Sequence, residues 1–246
     1  MNDKRFIEHI IEPKALNLVW QSPLDEGRKR LVVAKLCKVE DNQEKAGLDL
    51  EYLTNTKDFV EAQKLGFKGY SAFTLRGREG EELHRYKDLM QSFLSRLPPR
   101  KREDFNEYLE GFRIKSDSKL SDFALLGYTA ARLPSDSFSI LHTFEDAVGP
   151  FEFLLEVVGF QSSNVDSGET RVGQKAEFQK AYDSKHAGEL EIMISVSGQQ
   201  LGYVARGLVP SFSQWMDQGR IQAAFIEKKN GTQDRPVLFL YVEIKA

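Results

Sequence analysis

Three charged residues late in the sequence have the order that some metal-dependent nucleases use. Asp234 is followed by the run Glu243-Ile244-Lys245. In such enzymes carboxylates hold Mg²⁺ and a lysine steadies the attacking water. The alternation of residues 236–245 instead predicts the last strand of a hairpin, paired with residues 221–228 through a turn at Asn230-Gly231. Charged residues are ordinary at a frayed strand end, so nuclease activity is the least favoured function.

A second set of residues could bind phosphate. Basic side chains cluster where a predicted helix stops at Pro98-Pro99, and they are Arg96, Arg100, Lys101 and Arg102. A guanidinium group can hold a phosphate through two parallel hydrogen bonds. Cations at the C-terminal end of a helix also complement its dipole. The sequence favours the dipole interpretation and keeps the cluster as a secondary basic patch.

No other residues have the spacing of a catalytic or metal site. The four histidines, at positions 9, 84, 142 and 186, are scattered, and the single cysteine, Cys37, lies in an apolar run. The sequence contains neither a phosphate-binding glycine loop nor a G-x-S-x-G motif. We therefore expect a protein with no metal site, no cofactor and no enzymatic activity.

Composition limits the class of protein. The chain has 246 residues, 41% hydrophobic residues and 17 phenylalanines, enough for two modest domains with real cores. The net charge of −3 lacks the basic balance of a protein that binds duplex DNA through many phosphates. No apolar run has the length of a membrane span, and no secretory signal begins the chain, so we expect no membrane partner and a cytoplasmic location.

The N-terminal half alternates predicted strands and helices. The expected strands are two within residues 15–36, joined by a polar turn, then residues 49–53 and 70–75. The expected helices are residues 56–65, ending at Gly66, then 81–97, 103–111 and 121–126, the last with Ser121 as N-cap.

The order of these pieces resembles a known family. The quoted matches are L-x-W at Leu18–Trp20, F-L-x-R-L-P at Phe93–Pro98 and D-F-A-L-L-G at Asp122–Gly127. Over residues 15–140 the chain looks like the N-terminal subdomain of HipA-type toxins. That resemblance implies an α+β domain that contacts a protein partner. The nucleotide-binding loop and catalytic carboxylates of the HipA kinase body are not found in this sequence, so we expect no kinase activity.

The segment LEIMISVSGQQLGYVARGLVPSFSQW, residues 190–215, predicts two strands, a turn at Ser197-Gly198-Gln199, and a helix that opens near Pro210. Its spacing G-x-x-L-G-Y-V-x-R, together with Val158-Gly159-Phe160 and G-x-K-A-E-F at residues 173–178, resembles the HIRAN family. The resemblance covers residues 151–246. It implies a compact β-barrel that binds DNA, including single-stranded 3′ ends.

The same resemblance implies a set of DNA contacts: Tyr203, Arg206, Gln161, Ser162, Tyr182, Lys185 and His186. The sequence departs from the family at Gln161-Ser162-Ser163, where DNA-binding members carry an aromatic residue, and in the loop at residues 183–187. Base stacking on an aromatic face is worth about 1–3 kcal/mol per base. A module that no longer grips DNA ends therefore stays open as an alternative.

We predict an α+β protein with two domains. Residues 1–148 form a small β-sheet with helices, and residues 149–246 form a HIRAN-like β-barrel with a short helix. The boundary is placed in FEDAVGP, residues 144–150. The leading hypothesis is a non-enzymatic DNA-binding protein of DNA repair, genome defence or a toxin-antitoxin-like system. The alternative is a protein-interaction or regulatory subunit.

Overall fold

The computed structural model describes residues 4–40, 46–70, 73–74, 85–86, 90–133, 136–160, 170–183, 188–232 and 235–246. The chain divides into two compact units. Unit 1 comprises Met1–Ile11, Glu103–Lys119 and Ala147–Ala246, and unit 2 comprises Glu12–Arg102 and Leu120–Asp146. The sequence predicted two consecutive domains, whereas two short segments of the N-terminal half pack with the C-terminal strands.

Unit 2 contains the first seven strands and three of the labelled helices. Its strands are β1 (Ala15–Gln21), β2 (Arg30–Glu40), β3 (Ala46–Tyr52), β4 (Gly69–Tyr70), β5 (Phe73–Thr74), β6 (Arg85–Tyr86) and β7 (Phe138–Leu141). The α-helices among the described residues are α1 (Lys57–Lys64), α2 (Met90–Leu94), α3 (Phe105–Gly111), α4 (Asp122–Tyr128) and α5 (Val209–Asp217). Of these, α3 and α5 belong to unit 1.

The core of unit 2 lies on an antiparallel sheet of order β6-β3-β2-β1-β7, and β4 and β5 form a separate pair. Apolar residues of the sheet pack with α1, α2 and α4 around Phe67 and Phe138. The predicted N-cap at Ser121 is confirmed, since its hydroxyl accepts a hydrogen bond from the first turn of α4; Thr56, which was expected to be the first residue of α1, caps that helix in the same way. Gly66 follows α1 with φ +94°, which glycine adopts without strain.

The predicted helix over residues 81–97 is wrong in part. Arg85–Tyr86 instead pairs with β3 as the edge strand β6, and the helix covers only Met90–Leu94. Residues 81–84 and 87–89 lie outside the described residues. Hydrogen bonding to the open edge of β3 outweighs a helical periodicity that the local sequence alone displays.

Unit 1 carries the remaining strands. They are β8 (Phe151–Glu156), β9 (Glu177–Asp183), β10 (Glu189–Val196), β11 (Gln199–Tyr203), β12 (Ile221–Thr232) and β13 (Arg235–Ile244). They form two antiparallel sheets of order β11-β10-β9 and β12-β13-β8. Phe212 of α5 is fully buried, and its ring contacts those of Phe153, Phe178 and Trp215.

Isolated bridges join the edges of the two sheets. Val158, just after β8, exchanges two backbone hydrogen bonds with Tyr203 of β11. Lys175, just before β9, lies opposite Phe225 of β12. The edge strands of one sheet are thus linked to the edge strands of the other.

The predicted final hairpin is confirmed, but its turn is not at Asn230-Gly231. β12 continues to Thr232, and Gly231 pairs with Pro236. A Cβ on Gly231 would lie 2.1 Å from the carbonyl oxygen of Arg235, so this glycine permits close approach of the two strands. Thr232 pairs with Arg235, so both residues belong to the strands. Among the described residues, no helix combines the length and apolar character needed to cross a membrane.

Candidate nucleic-acid interface

The β10–β11 hairpin positions the predicted DNA-contact residues. Ser197 and Gly198 form its two-residue turn, and both have positive φ, +52° and +80°. Such turns match the right-handed twist of the flanking strands. Ile192, Ile194 and Val196 are buried on one face of β10, as the alternation predicts.

Gly202 sets the position of Tyr203. A Cβ on Gly202 would lie 2.3 Å from the carbonyl oxygen of Val158, and Gly202 has φ +154°. The pairing of β10 and β11 also shifts register at Ile194/Ser195, which marks a bulge beside this glycine. Close backbone approach at Gly202 allows the bridge between Tyr203 and Val158.

Tyr203 lies opposite Met193, so the two share the face of β10 that does not carry Ile192 and Ile194. Tyr203 is half-buried. It is the last residue of β11 and precedes the short stretch of chain that leads to Arg206.

Arg206 begins a short 3₁₀ helix, Arg206–Leu208, that leads into α5. Its Nη2 lies 2.6 Å from Oε2 of Glu189, and the side chains are 33% and 29% exposed. Glu189 shares the face of Met193 by alternation. A phosphate would therefore have to compete with this carboxylate for the guanidinium group.

Tyr182 lies near the end of β9, opposite Leu190, and is 71% exposed. By alternation it belongs to the face of Ile192, opposite that of Tyr203. The structure thus brings Tyr203 and Arg206 to one face and leaves Tyr182 on the other. Gln161, Ser162, Lys185 and His186 lie outside the described residues.

Of the four residues in the secondary basic patch, Arg96 is buried and the other three are exposed at least in part. The Arg96 side chain has no exposed area; it forms an ion pair with Asp136, and its Nη2 donates to the Tyr70 hydroxyl at 3.1 Å. Arg96 therefore stabilises the fold of unit 2 and cannot meet a phosphate. Arg100 contacts Asp122 at 2.6 Å and the Leu120 carbonyl at 2.9 Å.

Lys101 and Arg102 are exposed. The patch that remains at the surface of unit 2 consists of these two residues and the partly engaged Arg100. This surface patch is smaller than the sequence predicted, because the spacing of residues along the chain does not reveal that the Arg96 side chain is buried.

Of the three residues in the nuclease-like pattern, only Glu243 and Lys245 lie in the described part of the chain. Glu243 lies in β13 opposite Glu152 of β8, and Lys245 follows the strand. Asp234 lies outside the described residues. In the part of the chain that the structure describes, no three or more histidine, cysteine, aspartate or glutamate residues are grouped to hold a metal ion.

Sequence reasoning missed a buried cluster of charged side chains in unit 1. Glu227 is 4% exposed, and its carboxylate contacts Arg113 at 2.6 Å and Arg5 at 3.1 Å. Glu227 is the additional residue of a bulge, since Ile226 and Lys228 pair with consecutive residues of β13. The two arginines are remote in sequence, so no local motif could have identified this cluster.

Lys228 belongs to the same region. Its ammonium group lies 5.1 Å from the Phe112 ring centroid and 4.7 Å from that of Phe239, and it donates to the Gly111 carbonyl. Burial lowers the pKa of Lys228 from 10.5 to about 8, and nearby Arg113 adds to the effect.

Comparison with known proteins supplied no match: no protein-family model, curated protein or solved structure corresponds to this chain.

Proposed function

We propose that unit 1 is a HIRAN-like β-barrel module that binds single-stranded DNA without an enzymatic step. Support comes from the strand order of unit 1. Hydrogen bonds join β12 to β13 and β13 to β8. The Val158–Tyr203 bridge then joins the chain just after β8 to β11, which pairs with β10, and β10 pairs with β9. The Lys175–Phe225 bridge leads back to β12. This circular order is the single observation that carries the proposal, because it is the order that a small closed barrel requires.

The proposed DNA contacts use two kinds of chemistry. The exposed ring of Tyr182 offers a face on which a base can stack. Arg206 offers a guanidinium group for a backbone phosphate. Glu189 holds that group in the free protein, so DNA binding replaces one charged partner of Arg206 by another.

We place this module in DNA repair, genome defence or a toxin-antitoxin-like circuit in the cytoplasm. Unit 2 would then serve as the HipA-N-like half that contacts a protein partner. Its surface cations, Lys101 and Arg102, would add non-specific attraction to phosphate.

Fluorescence anisotropy with labelled DNA tests the proposal. Single strands with a free 3′ end, the same strands with a blocked end, and duplex DNA are compared at two salt concentrations. We expect binding to single strands that weakens with salt, as counterion release requires. Loss of Tyr182 stacking in Tyr182→Ala should reduce affinity by about fivefold or more.

Arg206 is tested through its partner. Arg206→Gln should weaken binding and flatten its salt dependence, whereas Glu189→Gln should tighten binding because the carboxylate no longer competes for the guanidinium group. Lys64→Gln, which removes an exposed charge at the end of α1, serves as the charge-matched control. If neither Arg206→Gln nor Glu189→Gln changes the affinity for DNA, Arg206 is not part of the DNA-binding site.

The Arg206–Glu189 ion pair also supports a second candidate function, a protein-docking module that does not bind DNA. In that case the pair fixes the entry into α5 and presents no free cation to phosphate. No DNA binding at low salt, combined with no gain in Glu189→Gln, would favour this function over the first.

A further inference from the structure

Residues 4–11 of unit 1 form an arm whose main chain is held by other segments of that unit. The Ile7 amide donates to the Arg113 carbonyl at 2.7 Å, and the Tyr241 hydroxyl donates to the Phe6 carbonyl at 2.6 Å. The amides of Glu8 and His9 both donate to one oxygen of Glu152, at 2.9 and 3.0 Å. These contacts recognise the backbone of the arm and not its side chains.

Alternate side chains of the arm are anchored on the same side. Arg5 contacts Glu227 at 3.1 Å and lies over the Phe225 ring, 4.5 Å from its centroid. Ile7 is 2% exposed and forms a parallel bridge with Ile114.

His9, two positions further along, contacts Glu152 at the surface: its Nδ1 lies 2.9 Å from Oε1, and its side chain is 54% exposed. Lys4 and Glu8 make exposed contacts, with Glu110 at 3.1 Å and Lys115 at 2.5 Å, whereas Phe6 is partly buried. The arm is therefore anchored mainly by the side chains of Arg5 and Ile7, and His9, where the chain bends, adds a contact at the surface.

The surface under the arm has structure of its own. Glu227 is fixed by Arg113 through a 2.6 Å contact that does not involve the arm. Tyr241 is 4% exposed, and burial raises the pKa of its hydroxyl, which keeps that group a hydrogen-bond donor. Glu152 lies on β8, where it is paired with Glu243 of β13. The polar groups that receive the arm are thus positioned by the sheet and by the chain after α3.

Main-chain hydrogen bonds combined with pockets for alternate side chains are how proteins recognise extended peptides. We propose that this surface of unit 1 is a docking groove for an extended peptide segment, and that the arm occupies it in cis. The partner is a protein segment with arginine at one position, a β-branched or other aliphatic residue two positions later, and a hydrogen-bonding residue two positions after that. The arm then acts as an intramolecular competitor that the partner segment displaces.

This inference does not rest on DNA binding. The groove uses β8, β12, β13 and the chain after α3, whereas the proposed DNA contacts lie on β9, β11 and the 3₁₀ helix. Failure of either proposal leaves the other standing.

The test starts from the full chain with a specific protease site inserted between Ile11 and Glu12. After folding and cleavage, a fluorescent peptide with the sequence of residues 1–11 is added, and its anisotropy is followed. We expect saturable exchange of the peptide into the cleaved protein and much weaker binding to the uncleaved protein, because the tethered arm competes at high effective concentration.

Peptide variants separate groove recognition from nonspecific adhesion. Ile7→Asp and Arg5→Ala should abolish or strongly weaken exchange, and Lys4→Ala, which alters an outward residue, should leave it unchanged. Equal binding of all variants would overturn the proposal. So would loss of near-ultraviolet circular dichroism on cleavage, because the arm would then be an integral part of the fold.

Hydrogen exchange on the intact chain gives an independent readout. In Glu152→Gln, exchange of the Glu8 and His9 amides should accelerate by about tenfold or more, since each loses a bond to a charged acceptor, while β10 amides stay unchanged. If the arm amides exchange only with global unfolding in the unmodified protein, the arm is not a displaceable segment and the proposal fails.

Discussion

Unit 1 holds two arginine–glutamate contacts of the same length and of opposite character. Glu189 and Arg206 meet at 2.6 Å, with roughly a third of each side chain exposed. Glu227 and Arg113 also meet at 2.6 Å, but their side chains are only 3% and 12% exposed, and Arg5 provides a second cation. The two contacts have the same length but differ in how much of each side chain is exposed to solvent.

The difference separates a contact available for exchange from one that organises the fold. A partly exposed ion pair contributes little to stability, so either residue can exchange its partner for a ligand. A buried carboxylate left without its cations, or cations left without their carboxylate, is strongly destabilising. The Arg206 pair is therefore the one suited to the proposed recognition, and the Glu227 cluster organises the surface under the arm.

The largest expected effect is on Glu227. Glu227→Ala should lower the free energy of unfolding by about 3 kcal/mol, near the lower end for a broken buried pair because Arg5 retains solvent contact. Glu189→Ala should lower it by about 1 kcal/mol or less. Urea denaturation of both variants measures the difference. Equal destabilisation would contradict the claim that the two ion pairs have different roles.

The next effect concerns the backbone that carries Tyr203 and Arg206. Gly202→Ala should destabilise unit 1 by about 2 kcal/mol, since the new Cβ meets the Val158 carbonyl and the backbone is strained. Gly198→Ala, with positive φ but open space around it, should lower stability by about 1 kcal/mol. If the Gly198 variant is the less stable of the two by urea denaturation, the close approach at Gly202 does not position the site.

The smallest effect is a change in pH dependence. Because the pKa of Lys228 is lowered from 10.5 to about 8 by burial and Arg113, the unfolded chain binds this proton more tightly than the folded one. The free energy of unfolding should therefore rise with pH between 8 and 10.5. The cost of the buried charge is fully present below pH 8.

Lys228→Met should reduce that rise, and Lys229→Met, at the exposed neighbouring position, should retain it. Urea denaturation from pH 7.5 to 9.5 provides the measurement and avoids the range where tyrosines ionise. An identical slope in the unmodified protein and Lys228→Met would show that Lys228 is not a destabilising charge in the folded state.

Local signals in the sequence predicted much of the secondary structure. The side-chain cap at Ser121 defines the start of α4, because its hydroxyl accepts a hydrogen bond from an amide within the same turn. The β10–β11 hairpin follows from alternation and a turn dipeptide that tolerates positive φ. Each of these features depends on residues that are neighbours in the chain.

Predictions failed where a distant segment decides the outcome. Arg85–Tyr86 became a strand because β3 offers an open edge. Asn230-Gly231 became part of a strand because β13 extends alongside it. Arg96 looked like a surface cation, yet Asp136 and Tyr70 hold it inside unit 2.

The sequence by itself determined the α+β class, most of the helix starts and the two hairpins of the C-terminal half, because periodicity, caps and turn residues act over a few positions. Only the tertiary structure decided that residues 4–11 and the chain after α3 pack with the C-terminal strands, that Glu227 is buried between Arg5 and Arg113, and that Arg206 is paired with Glu189. These contacts join residues far apart in the chain, and their energies depend on burial, which no local pattern encodes.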